Sequence, residues 1–221
     1  MKQFPDLYFD WAIVDIEYGI GASKPSRKNK SVKQKNGNKL SINQTIYNHS
    51  DWDFKMSSND YFNQLFRVSK NQIIFGGNYY GLAGGYLIWD KINGESDQFG
   101  CELAWLSFTK RTDIVYYLWS GMMQGENCSK NIRTALKQIG DKSLNEKRIH
   151  ETQKPVKLYD WILNEYVSPG SKVIDTHLGS GSNRISNYWF GNEFHGFEIC
   201  KSKFELQEKR FEIEISQPRL F

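Results

Sequence analysis

Lys172-Val-Ile-Asp175 is a short apolar run that ends in a carboxylate and passes directly into the loop Gly179-Ser-Gly-Ser182, after which the pattern predicts a helix through Phe190. A strand that turns into a helix through small residues belongs to a parallel α/β unit. Glycine lets the backbone approach a ligand closely, and the start of the following helix offers unpaired N–H groups. Phe194-His-Gly-Phe-Glu198 reads as the next strand and puts Glu198 19 residues after Gly179. That is near the ~20-residue offset at which a carboxylate grips ribose hydroxyls. A Gly-Ser-Gly turn needs no ligand by itself; the carboxylate at the next strand end is what points to one. The spacing is not Gly-x-Gly-x-x-Gly, so a hydride-carrying dinucleotide fits poorly.

The N-terminal end has a related form. Trp11-Ala-Ile-Val-Asp15 is a buried-strand pattern that runs into a polar turn, Glu17 to Gly21. Ser57 is a candidate N-cap for a helix with Tyr61, Phe62, Leu65, Phe66 and Val68 on its apolar face. Asn71–Phe75 is the next expected strand. Gly85–Asp90, Glu102–Phe108 and Ile114–Trp119 follow as three strands of a meander, whereas residues 120–150 are polar and show no clear period. Thr152 is placed to cap a helix with Pro155 in its first turn and Val156, Tyr159, Ile162, Leu163 and Tyr166 facing inward. Lys201 to Ile215 closes the chain as a helix. Strands alternating with helices predict one α/β domain with a mostly parallel sheet flanked by helices.

Composition narrows the function classes. At 221 residues the chain suits one domain with a sizeable core. Three cysteines, Cys101, Cys128 and Cys200, form neither a disulfide framework nor a metal-ligand pattern, so we expect no metal and a reducing, cytoplasmic setting. No apolar stretch approaches the ~20 residues of a membrane span, and the first ten residues do not read as a signal peptide. Aromatic residues reach 15%, which suits a protein that stacks on bases as well as one with an aromatic core.

Charge is concentrated in one place. Between Gly19 and Ser50 the chain carries Lys24, Arg27, Lys28, Lys30, Lys33, Lys35 and Lys39, with no Asp or Glu. Asn, Ser and Gly fill most of the gaps, so a basic loop is expected over 22–50, suited to phosphates if it is more than a solvated insertion.

Two further stretches carry chemistry. Asp15-Ile-Glu-Tyr18 stands at the C-terminal end of a strand, where open α/β sheets place ligands. There a carboxylate can accept a hydrogen bond from an exocyclic amine while an aromatic ring stacks on the base. His150-Glu-Thr-Gln-Lys-Pro155 lies at the start of a helix, where Lys154 and Thr152 can hold a carboxylate. Together the pieces resemble a beta-class amino-methyltransferase, a family whose catalytic motif precedes its cofactor motifs. Asp15-Ile-Glu-Tyr18 stands for that family's Asp-Pro-Pro-Tyr, His150-Glu-Thr-Gln-Lys-Pro155 for its His-Pro-Thr-Gln-Lys-Pro, and Asp175-Thr-His-Leu-Gly-Ser-Gly-Ser182 for its Asp-x-Phe-x-Gly-Ser-Gly-Ser. Ile16 and Glu17 replace both prolines, and His177 replaces the usual Phe.

The resemblance implies a Rossmann-like, S-adenosylmethionine-dependent fold with circularly permuted motif order. It implies catalysis by Asp15, the Ile16 carbonyl and Tyr18. Cofactor binding would fall to Asp175, His177, Gly179, Ser180, Gly181, Ser182 and Glu198, with Thr152, Gln153 and Lys154. The expected reaction is methylation of N6 of a flipped adenine in double-stranded DNA. Asp at position 15, where cytosine-N4 enzymes more often carry Ser, favours adenine. Target recognition falls to about 120–150, little material for reading a groove, which points to a homodimer or a short, relaxed recognition sequence. A small enzyme of this kind suits restriction–modification or a phage protecting its DNA. The competing readings are a DNA-binding homologue with impaired catalysis, a related enzyme acting on cytosine N4, RNA or protein glutamine, and a nucleotide-binding domain of unrelated function.

Overall fold

The computed structural model describes residues 1–19, 31–33, 39–41, 56–94, 99–120, 123–135, 145–150 and 152–216. In chain order the elements begin with β1 (Phe9–Asp15), a hairpin of β2 (Ser31–Lys33) and β3 (Lys39–Ser41), α1 (Asn59–Val68) and β4 (Ser69–Phe75). A 3-10 turn at Gly77–Tyr80 leads to β5 (Gly85–Asp90), β6 (Cys101–Leu106), β7 (Thr112–Tyr116) and the short pair β8 (Trp119–Ser120) and β9 (Met123–Gln124). The last third holds α2 (Val156–Tyr166), β10 (Lys172–Asp175), α3 (Ser182–Phe190), β11 (Glu193–Gly196) and α4 (Lys201–Ser216).

Seven strands make one sheet in the order β11-β10-β1-β4-β6-β5-β7. All pair in parallel except where β6 meets its two neighbours, so the mostly parallel sheet expected from the sequence is present. Side chains of β1 alternate between two cores. Ile13 joins Ile73, Leu87, Trp89 and Val173 under Leu158, Ile162 and Leu163 of α2. Ala12 and Val14 join Ile74 and Ile174 under Phe62, Leu65 and Val68 of α1. At roughly 1.5–3 kcal/mol per buried aliphatic or aromatic side chain, these two layers dominate the folding energy. Among the described residues no helix is long and apolar enough to cross a membrane.

Four local expectations are corrected. The three middle strands are not a meander: β7 lies parallel on the far edge of β5. β6 is already paired on both sides, by β4 and β5, so the next strand must add to β5. The connection crosses the start of β5 at Gly85, where a Cβ would sit 2.3 Å from the Arg111 carbonyl oxygen. The cap of α1 is Ser58, which accepts the Tyr61 N–H, while Ser57 turns its hydroxyl to Glu17. Thr152 does not cap α2: Pro155 holds that position, and Glu146 accepts the Val156 N–H at 2.9 Å. A carboxylate at a helix N-terminus satisfies an orphan donor and meets the favourable end of the dipole. Within the basic loop, the backbone pairs Ser31 with Ser41 and Lys33 with Lys39 as a hairpin.

Strand order fixes where a site can lie. From β1 the chain crosses to β4 on one side, and from β10 it crosses to β11 on the other. The crossovers diverge at the β1–β10 pair, which opens a crevice at the strands' C-terminal ends. Asp15 and Asp175 terminate those two strands.

Candidate active site

Asp15 ends β1 with its carboxylate in a group of buried charges. Lys154, only 4% exposed, puts Nζ 2.5 Å from Asp15 Oδ1 and 3.0 Å from Glu102 Oε2. Lys91 supplies a second ammonium 2.5 Å from Glu102 Oε1. The Tyr18 hydroxyl lies between the two carboxylates, 3.2 Å from Asp15 Oδ1 and 3.0 Å from Glu102 Oε2, and accepts from Lys154 at 3.1 Å. Its ring stacks on Tyr79 with centroids 5.1 Å apart. It also lies so close to Gly76 that a Cβ there would sit 2.3 Å from Tyr18 Cε1. Gly76 has φ +80°, so glycine serves both the turn and the ring.

Burial and pairing pull these groups in different directions. Burial raises the Asp15 carboxyl, with Lys154 opposing and Glu102 adding to the rise. Burial would raise Glu102 too, but Lys154 and Lys91 together hold it down at about 2. Burial would lower Lys154; Asp15 and Glu102 outweigh it and raise the ammonium. Two carboxylates facing two ammonium groups therefore balance, the condition under which buried charges persist.

The glycine loop meets this cluster from the neighbouring strand. Asp175 is buried, accepting the His177 N–H and the Asn183 side-chain amide, each at 2.9 Å. Asn183 also donates to the Ile13 carbonyl at 2.9 Å, so one amide ties α3 to both central strands. Burial pushes Asp175 up to about 6 despite those hydrogen bonds. Gly179 and Gly181 both have positive φ, and a Cβ on Gly181 would meet Gln207 Oε1 at 2.9 Å. Glu198 lies beyond the end of β11, which stops at Gly196; its carboxylate accepts the N–H groups of Gly179 at 3.0 Å and Cys200 at 2.8 Å. Ile199 beside it is fully exposed.

Ser180 and Ser182 are held from below by Arg210 of α4, whose guanidinium donates to the Ser180 carbonyl and Ser182 Oγ. The same guanidinium reaches Glu146 Oε1 at 2.6 Å, and Glu146 in turn holds Gln153 and the Val156 N–H. The three residues of the Thr-Gln-Lys stretch thus go to different places. Thr152 engages His150, Gln153 engages Glu146, and Lys154 reaches Asp15.

Sequence reading missed Lys91, Glu102, Glu146 and Arg210. Each is one charged residue in an ordinary strand, loop or helix, and only packing brings it to the site. Of the basic residues expected to meet DNA, Lys24, Arg27, Lys28, Lys30 and Lys35 lie outside the described residues; Lys33 and Lys39 are placed by backbone alone. Much of the expected recognition region, residues 121–122 and 136–144, also lies outside.

A Rossmann-like sheet with a glycine loop and a strand-end Asp at its crevice is the frame of a nucleotide-binding site. The sequence profile described as DNA methylase matches residues 22–209, and the chain belongs to this family of N6-adenine and N4-cytosine amino-methyltransferases. Members draw their methyl group from S-adenosylmethionine. The matched segment begins just beyond Tyr18, so the role of Asp15–Tyr18 rests on the motif and its place in the fold. Among solved structures the chain is similar to M1.HpyAVI in complex with SAM, at 16% identity over 92% of this chain and 89% of that one, with a TM-score of 0.50. It is also similar to the cytosine-N4-specific PvuII DNA methyltransferase, at 11% identity over 97% and 86%, with a TM-score of 0.49. At 16% identity the likeness to M1.HpyAVI concerns the fold alone. No curated protein matches the chain.

Proposed function

We propose that this chain methylates N6 of an adenine flipped out of double-stranded DNA. The observation that carries the reading is the convergence of Asp15 and the Asp175–Ser182 loop at one crevice, from adjacent parallel strands. The loop suits S-adenosylmethionine. A Cβ built on Gly179 would make only an ordinary contact, with the His177 carbonyl oxygen at 3.7 Å, so no packed side chain covers the loop there, and the half-buried Glu198 carboxylate borders it. His177, Gly179–Ser182 and Glu198 would hold the adenosine part.

When bound, S-adenosylmethionine supplies a methyl group on a positively charged sulfur. Asp15 and the Ile16 carbonyl accept the two N–H bonds of the exocyclic amine and favour a pyramidal nitrogen with a localised lone pair. Transfer of that methyl group would leave a neutral thioether and an extra proton on the amine nitrogen, which would pass to water. Orientation of this kind can supply ~7–11 kcal/mol of the barrier. Stacking on Tyr18, worth ~1–3 kcal/mol, offsets much of the few kcal/mol that extrusion costs. Lys154 steadies the Asp15 carboxylate as an anion until the amine arrives. The chain works as one methyltransferase domain, with 22–50 meeting phosphates and about 120–150 reading the target.

A second reading has its own support: Asp15 is already engaged by Lys154 and Tyr18, and both prolines are absent, as in a homologue that binds DNA without transferring methyl groups. Incubation with methyl-labelled S-adenosylmethionine and unmethylated duplex DNA, followed by digestion to nucleosides, separates them. Label in N6-methyladenine is the expected result. Label in N4-methylcytosine would keep the mechanism and change the base, and no label across a broad DNA panel would favour the second reading. Asp15→Ala should abolish transfer while cofactor affinity stays within about twofold of the parent, an interaction energy below ~0.5 kcal/mol.

A further inference from the structure

Glu17 and His177 are two of the four positions, with Ile16 and Glu151, at which this chain departs from the motifs it resembles, and they are 160 residues apart in sequence. In the fold they touch: Glu17 Oε1 lies 3.3 Å from His177 Nε2, with both side chains about three-quarters buried. Each is held by further partners. Ser57 donates its hydroxyl to Glu17 Oε2 at 2.9 Å, and the Tyr80 hydroxyl donates to the Glu17 carbonyl at 2.6 Å. On the other side His177 Nδ1 lies 3.0 Å from Thr176 Oγ1, which is 2.7 Å from the Tyr61 hydroxyl. The Tyr61 ring packs edge-on against the imidazole at 5.4 Å.

We infer that Glu17 and His177 are a positioning pair, an ion pair that ties the loop carrying Asp15 and Tyr18 to the loop that would hold the cofactor. The inference rests on the methyl-transfer reading. Proline fixes φ and so orders a loop from within. Ile16 and Glu17 cannot do that, and here the order comes from outside, through a bridge to the other half of the site. The pair joins the two groups whose separation a methyl transfer must control, whereas a bridge elsewhere on the surface would not. Loss of the bridge should therefore act on the rate of transfer more than on folding.

The charges facing the pair set its pH response. His177 faces Glu17 from the β1 loop, Asp15 at the end of β1, Asp175 at the end of β10 and the Tyr61 hydroxyl from α1; Glu17 faces His177, Ser57 and Tyr80. Burial alone would lower the imidazole, but the Glu17 hydrogen bond and the surrounding carboxylates raise it. Burial alone would raise Glu17, and His177 with Ser57 holds it below its ordinary value. The bridge is thus fully formed between the ordinary carboxylate and histidine ranges; it is lost as pH rises through the raised His177 value or falls through the lowered Glu17 value.

The test uses the full-length chain and the variants Glu17→Gln, His177→Phe and the two combined. Imidazole titration followed by NMR should show the His177 midpoint falling in Glu17→Gln; an unchanged midpoint overturns the pair. Single-turnover methyl transfer should fall about 10- to 100-fold in either single variant, the scale of an ~1 Å misplacement, and no further in the double. The alkaline decline of the parent should vanish in all three. Losses that multiply in the double variant, or a decline that persists in it, overturn the proposal. If the parent transfers no methyl group to any DNA, the functional reading fails. The NMR midpoint and calorimetric S-adenosylmethionine affinity then decide the pair: affinity that falls in the parent as pH rises through His177, and is flat in the variants, sustains it, and a flat parent overturns it.

Discussion

Asp15 carries the proposed chemistry, yet its ionisation depends on Lys154, a residue 139 positions away that reaches it across the sheet. Removing the ammonium in Lys154→Met leaves Asp15 and Glu102 buried and facing each other. Breaking a buried pair in this way typically costs about 3–5 kcal/mol. Denaturant melts should show a loss of that size at pH 7, and one far smaller would mean that water reaches the cluster. Glu102 makes a pH prediction with the opposite sign to Asp175. Its carboxyl is held at about 2 against an ordinary 4.5, so the stability it contributes is fully present above pH 4.5 and is lost as pH falls through about 2. Asp175 is raised to about 6, so its contribution favours the folded state at low pH and is lost as pH rises through that value. Comparing Glu102→Gln with the parent from pH 6 down to 2 should show their stability difference closing over that window. Nothing in Cys101-Glu-Leu-Ala-Trp-Leu106 marks Glu102 as part of a site, because the partners that make it one lie just past β5, in the β1 loop and just before α2.

The glycine loop, the start of α2 and the middle of α4 are joined by Arg210 and Glu146. Glu146 caps α2 and holds Gln153, and Arg210 holds Glu146 and the two loop serines. Arg210→Met should therefore loosen the loop and fray the helix start together. We expect a stability loss of about 3–5 kcal/mol and weaker S-adenosylmethionine binding by calorimetry, while a change confined to stability would separate the loop from this support. The glycine loop itself was legible because its conformation is local: positive φ calls for glycine at 179 and 181 wherever the loop sits. The α2 cap was not, because the capping carboxylate comes from ten residues upstream rather than from the adjacent Thr152.

Across the whole molecule, β1 and β10 lie side by side although most of the chain separates them, and this adjacency joins the two halves of the site. If the basic segment 22–50 meets phosphates, neutralising Lys28 and Lys30 to Gln should weaken duplex binding regardless of sequence. It should also flatten the slope of log affinity against log salt by about 0.9 per lost contact. Unchanged slopes by fluorescence anisotropy would assign DNA contact to another face.

Local patterns in the sequence determined the α/β class, the strands that carry Asp15 and Asp175, the glycine loop and the order of the motifs. Each follows from period, turn chemistry and short spacing, which act between near neighbours. Tertiary structure alone decided the strand order beyond β4, the placing of β7 outside β5, and the partners of every buried charge. Ion pairs such as Lys154 with Asp15 and Glu17 with His177 form between residues that only sheet adjacency brings within reach, and no local rule encodes which strands become neighbours.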